Sequence, residues 1–155
     1  MELPKHFWTY AKASLLLASV LVGYLIGPVP IDSGDSPPPF WLTIIPFVFF
    51  SLFLPSFLRQ FKPTEQYLTA SPWPASPVSP LEDPFACYHF GAWACFAGAV
   101  PQTYHALTPY NHDQMVMALF IWSCGAGALL GISGAKRGLK RKMETVDESN
   151  RPVPK

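Results

Sequence analysis

Charge is scarce in this chain, and its absences are patterned. Only 14% of the 155 residues are charged, against about 25% in soluble domains. Four stretches, residues 13–30, 40–58, 85–107 and 115–135, contain no Asp, Glu, Lys or Arg. They are 18, 19, 23 and 21 residues long, close to the roughly 20 apolar residues that cross a hydrocarbon core. A single ionisable group at the centre of such a helix costs roughly 2.5–3.5 kcal/mol of insertion free energy, so four charge-free runs point to four membrane spans. The missing acids argue against a proton- or sodium-coupled pump, whose relays need titratable groups inside the membrane. Cysteine is sparse as well. Cys87, Cys95 and Cys124 all fall inside the runs and form no C-x-x-C pair, which makes them small apolar fillers rather than a zinc or redox site. There is no Gly-rich phosphate loop, no H-x-x-x-H, no nucleophile–base pair and no carboxylate pair within a run, so no catalytic constellation is visible.

Lysine and arginine are missing from one side of the chain altogether. The segments between the runs alternate sides. Residues 1–12, 59–84 and 136–155 share one side and hold two, two and seven basic residues, all eleven in the chain. Residues 31–39 and 108–114 share the other side and carry Asp32, Asp35 and Asp113 with no Lys or Arg. Basic residues resist translocation. The expected architecture is therefore an all-α integral membrane protein, a four-transmembrane-helix bundle with N- and C-termini cytoplasmic. The net charge of +1 hides this segregation, and no nucleic-acid partner is expected. A bacterial inner membrane is the expected location, with a eukaryotic internal membrane as the alternative. The first run has the basic start and apolar stretch of a signal peptide. The Gly-Pro-Val-Pro-Ile-Asp that follows lacks a small-x-small cleavage site, so retention as a span is expected.

Proline gathers in the connections. Pro37-Pro38-Pro39 makes a stiff entry into the second span. Residues 59–84 carry Pro63, Pro72, Pro74, Pro77, Pro80 and Pro84, the composition of an extended linker. Tyr67 and Trp73 in it suit the headgroup level. The tail, residues 136–155, is expected to be a disordered segment. Its Lys136, Arg137, Lys140, Arg141 and Lys142 form a topology anchor and can attract anionic lipid headgroups at about 1 kcal/mol each.

Helix association in lipid depends on small residues that let backbones approach. The first span offers Ser19, Gly23 and Gly27, the third Cys87, Gly91, Ala94 and Gly98, and the fourth Ser123, Gly127, Gly131 and Ala135. Each series lies on one helix face. The second span has no such stripe; it is crowded with Phe40, Trp41, Phe47, Phe49, Phe50, Phe53 and Phe57 and interrupted by Pro46 and Pro55. The expectation is that spans one, three and four pack tightly and that span two lies outside them. Pro101 should kink the third span and open a polar niche with Gln102 and His105.

Ionisable groups inside a span are the first functional suspects. Only His89 and His105 qualify, and they stand 16 residues apart, about 24 Å along a helix. A haem would need a second axial histidine from another span, where none exists. A metal can be drawn to His105, His112 and Asp113 on the side free of basic residues, although Asn111 or Asp113 reads more simply as the N-cap of the fourth span. No resident cofactor is expected. The chain's size and the run Pro38-Pro39-Phe40-Trp41 resemble the tryptophan-rich sensory proteins. Those have five spans and several Trp-Pro-type loop motifs, which this chain lacks, and no residue or function is carried over. The expected role is an accessory or scaffold subunit acting through helix–helix contacts with itself or a larger complex. The alternatives are a small oligomeric carrier or channel for an uncharged or weakly polar solute, and a membrane redox (haem) subunit.

Overall fold

A computed structural model describes residues 6–28, 37–63 and 78–149, with side chains described as far as Lys142. Four α-helices account for most of these residues: α1 (Phe7–Ile26), α2 (Ile44–Leu58), α3 (Pro84–Leu107) and α4 (His112–Ser149), with a 3-10 turn at Phe40–Thr43 leading into α2. Three stretches, Phe7–Ile26, Phe40–Leu58 and His112–Lys142, are long and apolar enough to cross a membrane. Among the described residues the regular elements are all helical, and the three apolar stretches make the chain a membrane protein. At 24 residues α3 has the length, but His89, Gln102, Thr103 and His105 dilute its apolar character.

Local chemistry explains where each helix begins and ends. α1 starts ahead of its charge-free run, so Lys12 lies inside the helix and is only 4% exposed. It stops at Gly27, whose φ of 84° favours glycine and whose N–H donates to the Gly23 carbonyl, with Pro28 next. Gly27 therefore terminates α1; nothing stands within 4 Å of where its Cβ would be. α3 starts at an Asp-Pro pair. Asp83 Oδ1 accepts from Phe85 N at 2.8 Å and Ala86 N at 3.2 Å, and Pro84 fills the first helical position. The α3–α4 turn is tight: Thr108–Pro109 is cis and Asn111 N donates to the Ala106 carbonyl at 2.8 Å. Asn111 Oδ1 then caps α4 by accepting from Gln114 N at 3.1 Å. α4 runs on to Ser149, about 57 Å at 1.5 Å per residue. The segment from Lys136, expected as a disordered tail, is thus helical through Ser149; its Lys, Arg, Leu, Met and Glu are good helix formers. Residues 150–155 and the linker with Tyr67 and Trp73 lie outside the described residues.

The packing order is α1–α3–α4–α2. α4 packs extensively on both α3 and α2, whereas α1 packs mainly on α3. The helices form a row rather than a closed bundle. Span two does lie outside spans one, three and four, at the end of the row, but the tight contacts are not confined to those three: α4 is the hub, it packs on α2 nearly as extensively as on α3, and α1, at the other end, is the more loosely held. Glycines on α4 are the reason. A Cβ at Gly127 would lie 2.8 Å from the Phe47 carbonyl oxygen, and one at Gly131 only 2.6 Å from that of Phe50. Bulky α2 needs no small residues of its own because α4 supplies the close approach. Gly125, turned the other way, receives the Phe96 ring and the Ala92 carbonyl of α3. By contrast Gly91 and Gly98 have open space where a Cβ would be. Among the described residues, the apolar core gathers at the basic end, around Leu54, Leu58, Phe85, Ala86, Ile132 and Ala135.

Candidate functional site

Two polar junctions interrupt this apolar row, one at each end. At the end free of basic residues, Gln102 of α3 donates from Nε2 to Oε1 of Gln114 on α4 at 2.9 Å. Both side chains are buried, and the pair links the last turns of α3 to the first turn of α4. Trp122 Nε1 donates to Thr103 Oγ1 at 3.0 Å, and Thr103 donates on to the Ala99 carbonyl at 2.7 Å. Of the residues expected to line a niche beside Pro101, Gln102 is thus engaged with Gln114 of α4. Pro101 itself packs on α1: a Cβ at Gly23 would fall 2.5 Å from Pro101 Cγ.

The histidines at this end are not brought together. His105 lies against Tyr24 and Tyr104, with ring centroids 6.1 and 5.4 Å away, and its Nε2 is buried with no hydrogen-bond partner among the described residues. His112 sits across the row, 4.7 Å from the Phe40 ring, with Nε2 3.0 Å from the Pro38 carbonyl oxygen. They separate because α1 flanks α3 while the 3-10 turn before α2 flanks α4. Among the described residues, no three His, Cys, Asp or Glu side chains gather where they could hold a metal ion; Asp32 and Asp35 lie outside those residues.

The second junction lies at the basic end and was not anticipated. Lys12 of α1 donates from Nζ to the Val78 carbonyl at 3.2 Å, a buried contact. Asp83, 1% exposed, caps α3 and interacts electrostatically with Lys136 of α4. His89, one and a half turns into α3, feels both Lys12 and Lys136, and its Nε2 accepts from Trp93 Nε1 at 3.4 Å. Three helices and the segment before α3 thus meet around charged groups at this end. Sequence reading assigned Lys12 and Lys136 to flanking segments and Asp83 to a loop. The available signal was Asp-Pro at the start of one span with a lysine at the edge of two others.

These junctions hold helices in register; neither assembles a nucleophile with a base. Comparison with protein-family models, curated proteins and solved structures finds no match to this chain. The amide bridge has a direct test. Gln102→Leu or Gln114→Leu removes one half of a buried amide bridge, at about 1–3 kcal/mol. The double variant should recover part of that loss, giving a coupling of about 0.6–1.7 kcal/mol in a double-mutant cycle of unfolding in detergent. Strict additivity would show that the bridge contributes nothing.

Proposed function

We propose that this chain is a four-span membrane protein with both ends on the cytoplasmic side, working as an accessory or scaffold subunit through helix–helix contacts. The observation that carries this reading is the open row. α1 is attached along one neighbour, and only 6% of its most apolar window is buried within the chain. α2 and the 3-10 turn before it expose Trp41, Ile45, Val48, Phe49 and Phe53. Small residues on α3, Gly91 and Gly98, stand uncovered, a surface that admits another helix closely. The assignment of α3 as the third span rests on its length and on the charge-free run, and the cytoplasmic ends rest on the distribution of basic residues. A bacterial inner membrane is the proposed setting.

Purification in mild detergent followed by mass spectrometry tests the role. A partner recovered at fixed stoichiometry is the expected result. Solute uptake into liposomes by the isolated chain would instead support the carrier reading and reject this one. Reporter fusions after Ile26, Leu58, Leu107 and Lys155 test the topology: the first and third should report the external side, the second and fourth the cytoplasm.

A further inference from the structure

At the basic end, α2 finishes on Arg59, whose N–H donates to the Pro55 carbonyl at 3.2 Å. Gly138 of α4 stands opposite. A Cβ there would lie 2.8 Å from both Nε and Nη2 of Arg59 and 2.9 Å from Cζ. Three atoms of one planar group at nearly one distance mean that the guanidinium lies face-on against the α4 backbone. Any side chain at position 138 would lift it away. Its N–H groups lie in that plane, across the α4 backbone rather than into it. Arg141 and Lys142 follow Gly138 by three and four residues and so share its side of the helix. Arg59, Arg141 and Lys142 are all exposed.

Like charges gathered on one seam repel one another, and an anion between them relieves that repulsion. A guanidinium offers a planar fork that matches a phosphate bidentately, which an ammonium cannot do. Basic clefts between membrane helices on the cytoplasmic side suit phospholipid headgroups. We propose that the α2–α4 seam is a discrete phosphate site, with Arg59 laid on Gly138 and Arg141 and Lys142 beside it, that takes the phosphodiester of an anionic phospholipid. The site rests on the reading that the basic end lies in the cytoplasmic headgroup layer. It goes beyond a diffuse attraction of the α4 extension for a charged surface, because it requires one glycine and one arginine in a fixed relation.

The test is native mass spectrometry of the full chain, purified from an equal mixture of phosphatidylglycerol and phosphatidylcholine. Preferential retention of phosphatidylglycerol is expected. Arg59→Ala should lower it about fivefold, the factor that corresponds to about 1 kcal/mol per basic group near the surface. Arg59→Lys should lose most of that factor despite keeping its charge, and Gly138→Ala should do the same without changing charge at all. Lys140→Ala removes an equal charge two residues from Gly138, on the far face of α4, and should leave retention unchanged. Unaltered helical circular dichroism in each variant separates lost binding from lost folding. Equal losses for Lys140→Ala and Arg59→Lys, or wild-type retention in Gly138→Ala, would overturn the site in favour of a diffuse charge effect. Displacement of the lipid by inorganic phosphate alone would reassign the seam to free phosphate and overturn the lipid assignment. A reporter that places the basic end outside would sink the topology without touching the retention result, so the two failures are distinguishable.

Discussion

Gly131→Leu is expected to separate α2 from α4 and to destabilise the protein by about 3 kcal/mol, the upper end of the usual cost of overpacking. A Cβ at this position would lie 2.6 Å from the Phe50 carbonyl oxygen and 2.9 Å from Leu54 Cβ. The first obstacle is backbone, which cannot swing aside as a side chain can. Gly127→Leu should behave in the same way, since its obstacles are the carbonyl oxygen and Cα of Phe47, at 2.8 and 2.9 Å. The internal controls are Gly91→Leu and Gly98→Leu. Among the described residues nothing stands within 4 Å of a Cβ at either position, and leucine is the better helix former, so both should be neutral or slightly stabilising. Unfolding of the four variants in a denaturing detergent titration measures the difference. If Gly91→Leu cost as much as Gly131→Leu in the isolated chain, the order α1–α3–α4–α2 would be wrong.

The contrast between these glycines explains why helix bounds were easier to read than helix partners. Residues 40–58 and 85–107 match the observed Phe40–Leu58 stretch and α3 closely. Their limits are set locally, by Pro37-Pro38-Pro39, by Asp83-Pro84 and by the polar turn at residues 108–111. The end of α4 was missed because the residues that stop a membrane span are not helix breakers. A row of small residues states that something comes close, without naming what. On α4, Gly125 admits α3, whereas Gly127 and Gly131, on another face, admit α2. On α3, Gly91 and Gly98 of a similar row admit no neighbour among the described residues. The junction at the basic end was hidden for a related reason. Lys12 and Lys136 are far apart in sequence and each satisfies the topology rule alone. Only the packing order brings them to the two sides of the α3 N-terminus.

Asp83→Ala is expected to be the most damaging single change at that junction, with a loss of about 3 kcal/mol. Two interactions disappear together. The Phe85 and Ala86 N–H groups lose their shared acceptor; the usual cost of removing such a cap is about 0.5–2 kcal/mol. Lys136 also loses a negative neighbour. Truncating one member of a fully buried pair costs about 3–5 kcal/mol, and half-buried Lys136 should show only part of that. Asp83→Asn separates the two contributions, because asparagine caps as well as aspartate does but carries no charge. It should recover the capping share and leave a loss of about 1 kcal/mol from charge alone. Lys136→Met, combined with Asp83→Asn, should then cost little more than Asp83→Asn by itself, since the ammonium has already lost its counterpart. Unfolding of these variants, with Lys136→Met alone as a fourth, decides between two accounts of the basic end. A loss in Asp83→Asn as large as in Asp83→Ala would make the charge, not the cap, the main contribution of Asp83. Full stability in Asp83→Asn, with Lys136→Met harmless alone, would reduce the junction to an ordinary helix start, with α1 held at this end by the Lys12 bond to Val78.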